Sequence, residues 1–307
     1  MERKIETVSI IGLGALGILF GHHLSKKMPF EALRIIADEK RIKKFAKDPV
    51  YCNGEKCNFH FVQPSEKTGP ADLVIFTVKF SGLEKAVQDV RNQIGEHTII
   101  LSALNGISSE EVISRAYGWE NILYCVAQGM DGLRKGNTLE YQNMGMLCFG
   151  DRQPGIVSDK VKAVEEFFLS TEFPHEVETD MAKRVWGKFM LNVGVNQTVS
   201  IYRGTYGDVQ ADGEARETMI AAMREVIAIS QVEGVPQTEE DLTYWLEVIQ
   251  ALHPEGKPSM AQDIDAMRMT EVELFSGTVI RLGKKHGIPT PVNQFLYDRI
   301  KFMESQF

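Results

Sequence analysis

No run of apolar residues in this chain reaches the ~18 needed to cross a bilayer, and no block of basic residues marks a nucleic-acid surface. Cysteine is scarce, with four residues (Cys52, Cys57, Cys125, Cys148) in 307. That excludes a disulfide scaffold and leads us to expect free thiols in a reducing, cytoplasmic setting. Cys52, Cys57 and His60 do cluster. A zinc site would want a fourth ligand and a tighter cysteine pair, so no metal is expected and the stretch reads as a small hairpin edge. The charge excess is small, −8 overall. It is spread along the chain and suits solubility rather than a charged partner. Internal repeats, low-complexity segments and flexible linkers are missing too. Arg3 and Lys4 ahead of an apolar run ending at Phe20 imitate a secretory signal. Three glycines interrupt that run, and His22–Lys27 offers no small-residue cleavage site, so a signal peptide is not expected.

What is present is enough apolar material for real cores, 43% of residues, in a length that suggests about two domains. The organising stretch is Val8–Ile11 followed by Gly12-Leu13-Gly14-Ala15-Leu16-Gly17 and a helical pattern from Ile18 to Lys27. A strand, a glycine turn and a helix in that order form the dinucleotide fingerprint. Gly12 permits a tight turn at positive φ. Gly14 lets backbone N–H groups approach a pyrophosphate, and Gly17 lets the helix lie close to the strand. The helix N-terminus then presents its partial positive charge to the phosphates.

Further strands are expected at 33–37, 71–78, 98–102 and 122–126, alternating with helices at 83–94 and 109–117. That alternation predicts an α/β fold with a Rossmann-like, doubly wound, mostly parallel sheet. Residues 48–69 read as irregular. Residues 124–128, 138–142 and 146–150 read as antiparallel strands, followed by a helix at 157–169 and a strand at 175–177. Asp38 ends the second strand, 21 residues beyond Gly17, where a carboxylate would accept from a ribose 2′-OH and favour NAD(H). Lys40 and Arg41 follow at once and argue the other way, toward a 2′-phosphate, unless they are simply the solvated first turn of the next helix. Lys79 and Asn105 fall at the carboxyl ends of strands, where ligands of such sheets bind.

From about Thr179 strands vanish and long amphipathic helices take over, which places a dinucleotide-binding domain at 1–178 and an all-helical domain at 179–307. Met219, Met223, Val226, Ile227 and Ser230 form a core stripe on a helix over 214–233. Other helices are expected over 241–252 and 260–286, with Pro291 opening the last. Lys188, Asn192 and Asn196 recur every four residues and so share one helix face, beside the apolar set Val185, Phe189 and Val193. Spacing alone allows a solvated surface row as readily as a site. Ser259, by position, reads best as a helix cap.

Together, Gly12–Gly17, Thr77-Val78-Lys79, Leu104-Asn105-Gly106, Trp186-Gly187-Lys188-Phe189 with Asn192 and Asn196, and Pro258–Ile264 followed by Thr270-Glu271 resemble the ketopantoate reductase (2-dehydropantoate 2-reductase) family over essentially the whole chain. The resemblance implies a Rossmann domain followed by a helical one. The implied activity is NAD(P)H-dependent reduction of 2-dehydropantoate to (R)-pantoate in pantothenate synthesis. Lys188 and Glu271 would be catalytic, Lys188 as general acid and Glu271 orienting it or holding substrate. Asn192, Asn196, Ser259 and Asn105 would bind substrate. Gly12, Leu13, Gly14, Ala15, Leu16, Gly17, Asp38, Lys79 and Asn105 would hold the cofactor. The family default is NADP(H), whereas Asp38 stands where an arginine is common and favours NAD(H). Partners implied are a small 2-oxo acid and a possible second copy of the chain, with no nucleic acid and no membrane. Two other readings stay open: a reductase of another 2-oxo acid or a polyol phosphate, and a non-catalytic NAD(P)-binding sensor or assembly protein.

Overall fold

The computed structural model describes residues 4–307, so Arg3 lies outside the described residues. The chain forms two compact units. One comprises the residues up to Leu104 together with Ser108–Ala182, the other Asn105–Ile107 together with Lys183–Phe307.

The first unit holds β1 (Val8–Ile11), α1 (Ala15–Ser25), β2 (Leu33–Ile36), α2 (Glu39–Lys47), β3 (Tyr51–Cys52), β4 (Glu55–Lys56), β5 (His60–Val62), β6 (Leu73–Phe76), α3 (Leu83–Asp89), β7 (Ile99–Ser102), α4 (Ser109–Tyr117), β8 (Ile122–Gln128), β9 (Leu133–Lys135), β10 (Thr138–Glu140), β11 (Met146–Gly150), α5 (Asp159–Ser170) and β12 (His175–Val177). Eight strands make one sheet in the order β12-β11-β8-β7-β6-β1-β2-β5. Pairing is parallel from β5 to β8, and β11 then runs antiparallel to β8. Strands β1, β2, β6 and β7 are buried along their whole length, as parallel strands covered on both faces must be.

Alternate residues serve opposite faces. Val8, Ile10, Leu33, Ile35, Leu73 and Ile75 share a core with Ile18 and Phe20 of α1 and Phe168 of α5. Ile11, Ile36, Val74 and Phe76 share another with Leu83 and Val87 of α3 and Ile113 of α4. From β1 the chain runs outward to β2 and β5, then returns to β6 on the other side of β1. The direction of winding reverses at β1, and the glycine turn begins at its carboxyl end.

Two local expectations change. Residues 48–69 are not irregular throughout, because they include the β3–β4 hairpin and β5, which extends the sheet by pairing Arg34 with His60 and Ile36 with Val62. Such short strands carry too few residues to show a period. The segment expected at 138–142 does not join the main sheet. It is β10, antiparallel to β9 and parallel to β3, in a second sheet ordered β4-β3-β10-β9. All four cysteines are buried, and none forms a disulfide among the described residues. Burial raises the Cys57 thiol to about 12. His60 turns instead to Glu31, at 3.3 Å.

The second unit is helical: α6 (Met181–Tyr202, entering it at Lys183), α7 (Tyr206–Gln210), α8 (Glu214–Val232), α9 (Glu239–Gln250), α10 (Ser259–Asp265), α11 (Thr278–His286) and α12 (Pro291–Glu304). The middle of α6 is buried on nearly every side. Met219, Met223, Val226 and Ser230 of α8 are fully buried and Ile227 is half-buried. The expected helix over 260–286 is broken: α10 ends at Asp265, and the next helical element is a π turn, Glu273–Gly277. Apolar spacing continues through the gap, which is why the pattern hid it. Among the described residues no helix is long and apolar enough to cross a membrane.

Candidate functional site

In the first unit the glycine turn is held by its neighbours. Gly12 has φ +100°, and a Cβ there would lie 2.8 Å from Val78 N. A Cβ on Gly17 would lie 1.8 Å from Gly12 O, so only glycine lets α1 begin this close to the strand end. Thr77 Oγ donates to Gly12 O at 2.7 Å and pins the turn to the end of β6. Gly14 differs. A Cβ there would meet nothing nearer than Thr77 O at 3.6 Å, so packing within the protein does not demand glycine. Gly14 is the N-cap of α1 and has no side chain with which to cap it, and no acidic residue lies in the helix's first turn. Helix N–H groups without a side-chain acceptor suit an anionic group such as a pyrophosphate. Leu13, Ala15 and Leu16 are partly buried against the core.

Asp38 has a task the sequence reading did not give it. It is the N-cap of α2, its Oδ1 accepting from Arg41 N at 2.8 Å. Its Oδ2 stands 3.8 Å from Arg41 Nε, with 38% of the side chain exposed. One oxygen is therefore committed to the helix, and the other faces a guanidinium. Lys79 is exposed at the start of the short turn Phe80–Gly82.

In the second unit five predicted residues come together. Asn105 Nδ2 donates to Glu271 Oε2 (3.3 Å), Asn192 Nδ2 to Asn105 Oδ1 (3.3 Å), and Asn196 Nδ2 to Asn192 Oδ1 (3.2 Å). Asn196 Oδ1 accepts from Ser259 Oγ and from Met260 N, both at 3.2 Å. A backbone N–H can only donate. Met260 N therefore makes Asn196 Oδ1 an acceptor, and each amide in turn donates its Nδ2 to the next, ending at Glu271. The α6 row is not a solvated face, because Asn192 and Asn196 are each 4% exposed. Lys188 sits half-buried one turn before Asn192, between buried Val185 and Phe189. Ser259 is not the cap of α10. That place is Pro258, and Ser259 turns its hydroxyl to Asn196. Sequence reasoning missed Met260 N and the anchoring role of Thr77 Oγ. A main-chain donor leaves no side-chain signature, and a threonine at a strand end is commonplace.

The parallel sheet, with the glycine turn where its winding reverses, makes the first unit a Rossmann-type fold, the class of dinucleotide-binding domains. Residues 8–153 match the family model described as ketopantoate reductase PanE/ApbA, and residues 180–304 match its C-terminal counterpart. The chain belongs to the ketopantoate reductase family of NAD(P)-dependent oxidoreductases. It is similar to the 2-dehydropantoate 2-reductase of Streptococcus pyogenes serotype M6, with 26% identity over 302 residues covering 97% of this chain and 98% of the relative. It is also similar to that of Vibrio cholerae serotype O1, with 30% identity over 241 residues, 77% of this chain and 79% of the relative. Among solved structures, the ternary structure of D-mandelate dehydrogenase with NADH and anilino(oxo)acetate shares the fold, with a TM-score of 0.85, 22% identity and 98% coverage of each chain.

Proposed function

We propose that this protein reduces 2-dehydropantoate to (R)-pantoate with a reduced nicotinamide dinucleotide. The observation that carries this reading is the directed chain from Met260 N through Asn196, Asn192 and Asn105 to Glu271, with Lys188 one turn away on the same helix. Both relatives above bear the name 2-dehydropantoate 2-reductase, which supports the substrate. A second reading, another 2-oxo acid, is favoured by the likeness to D-mandelate dehydrogenase.

The turn Gly12-Leu13-Gly14-Ala15-Leu16-Gly17 would hold the pyrophosphate, Asp38 the adenosine ribose, and Lys79 and Asn105 the nicotinamide side. When bound, the cofactor would supply the hydride for reduction of a keto group. Lys188 would donate a proton to the keto oxygen, where negative charge develops. Glu271 orients Lys188 or the substrate. Asn192, Asn196 and Ser259 orient the substrate's hydroxyl and carboxylate without adding a charge, which suits a small anion.

The test is cofactor oxidation followed by absorbance, with 2-dehydropantoate and with an aryl 2-oxo acid, each against NADPH and NADH. We expect 2-dehydropantoate to be turned over fastest. Lys188→Ala should lower kcat by at least ~10², the scale of a lost general acid, with dinucleotide affinity unchanged. Unaltered turnover in that variant removes Lys188 from the chemistry. A parent protein that binds dinucleotide yet oxidises none with any 2-oxo acid returns the non-catalytic reading.

A further inference from the structure

Glu271 stands on an irregular connection. Past Asp265, Met267 adopts left-handed backbone at φ +49°. Helical turns return at Glu271 itself, whose carbonyl accepts from Leu274 N at 2.9 Å and from Phe275 N at 3.2 Å, and Gly277 N then bonds Val272 O at 3.0 Å. The stretch just before Glu271 lies outside any helix, so other bonds must hold it. The connection is tied at both ends. Arg268 Nε donates to Asp263 Oδ1 at 2.8 Å. Next to Glu271 itself, Thr270 gives both of its donors to one oxygen: Glu304 Oε1 accepts from Thr270 N at 2.8 Å and from Thr270 Oγ at 2.7 Å. Thr270 Oγ in turn accepts from Val272 N at 3.2 Å. The residues on either side of Glu271 are thus bonded into one cluster whose anchor is Glu304.

Glu304 lies in the last turn of α12, where a carboxylate is electrostatically misplaced next to the helix carbonyls. It is nevertheless 6% exposed. Its Oε2 has the Lys301 ammonium at 3.1 Å, in poor geometry for a hydrogen bond. Tyr297 and Lys301, on the same stretch of α12, also reach Glu273 Oε1, at 2.7 and 3.5 Å. Burying a carboxylate at the wrong end of a helix is costly unless its oxygens are used, and here the use is Thr270.

We propose that Glu304 is a positioning residue, which through Thr270 aims the Glu271 carboxylate at Asn105 and the amide chain. It does not touch substrate. The inference rests on the reading of Glu271 as a working residue of the site.

The experiment compares Glu271→Gln, Glu304→Ala, Glu304→Gln, Thr270→Val and the double variant Glu271→Gln/Glu304→Ala in the full-length protein. Steady-state kinetics with 2-dehydropantoate, dinucleotide affinity and thermal stability are measured for each. We expect Glu304→Ala to lower kcat/KM by about tenfold or more while dinucleotide affinity stays within twofold. Glu304→Gln keeps an oxygen acceptor for Thr270 and should retain most activity. The double variant should be no worse than Glu271→Gln alone within about twofold, because a residue that acts only through Glu271 has nothing left to aim. If Glu304→Ala does not fold, Thr270→Val takes its place, losing only the hydroxyl contacts, with a smaller loss of kcat/KM expected. A fall in kcat/KM for Glu271→Gln, with full activity in Glu304→Ala or Thr270→Val, overturns the proposal. So do losses that multiply in the double variant, since independent losses mean a structural role only. A silent Glu271→Gln instead sinks the reading of Glu271, and the proposal with it.

Discussion

Asp38 is the residue where two physical demands compete. As an N-cap it satisfies Arg41 N, and as a ribose acceptor it would discriminate between cofactors. Its second oxygen stands 3.8 Å from Arg41 Nε, so the charge that would repel a 2′-phosphate has a partner of opposite sign beside it. Asp38→Asn separates the two tasks, since the amide oxygen still caps while the charge is gone. We expect NADH to be used at least as well as NADPH by the parent. In Asp38→Asn the ratio of kcat/KM for NADPH over NADH should rise with a stability change below about 1 kcal/mol, the scale of a retained cap. Asp38→Arg should raise that ratio further and also lose the cap. Equal ratios in all three proteins would mean that Asp38 serves the helix alone. The four-residue spacing of Lys188, Asn192 and Asn196 was legible in the sequence. Their burial was not, because the segments that cover α6 are distant in the chain.

At the scale of elements, α6 carries the row of proposed working residues and depends on how closely its neighbours approach. A Cβ on Gly187 would lie 2.3 Å from Trp245 Nε1 of α9, and Trp245 is 4% exposed. Gly187→Ala gains about 1 kcal/mol in helix propensity. It must also displace a buried indole, and overpacking of that kind costs about 1–3 kcal/mol. We expect the clash to win, with a lower melting temperature and, because Lys188 is the next residue, a reduced kcat. A variant as stable as the parent would show that α9 yields without cost. The same element scale explains what was misread between 260 and 286. Periodicity reports which residues face a core, but not whether the backbone between them stays helical. The break there is closed by Arg268–Asp263 and Thr270–Glu304, pairings that no local pattern announces.

For the whole molecule, buried and half-buried carboxyls of opposite tendency make stability depend on pH. Burial works against ionisation of Glu304, but the bonds from Thr270 and the nearby Lys301 ammonium outweigh it and hold that carboxyl below its ordinary range. Burial likewise opposes ionisation of Glu233, and Lys285 and His286 more than offset it. Both groups contribute stability that is present above the ordinary carboxylate range and is lost as pH falls through their lowered values. Glu110 behaves in the opposite way. It is 4% exposed, and burial raises it from 4.5 to about 7 against the bonds from its own N–H and Ser109 Oγ. The folded state keeps this proton where the unfolded chain has lost it, so stability falls as pH rises from 4.5 to about 7. Glu110→Gln cannot ionise. Its stability relative to the parent should therefore grow between about pH 5 and pH 8, by at most about 3 kcal/mol. Denaturant melts of the two proteins across that range would check it, and parallel curves would contradict the assignment.

The chain's own order of residues carried the glycine turn between strand and helix, the buried apolar runs, the change to helical periodicity and the four-residue polar row. Each of these is written in neighbouring residues, within the reach of a turn, a strand or two helical turns. Packing settled the remainder: the edge pairing of β5, the second sheet, the cap at Asp38, the direction of the amides and the grip of Glu304 on Thr270. Those depend on which distant groups end up within hydrogen-bonding distance, and a buried donor or acceptor takes its partner from whatever the fold brings beside it.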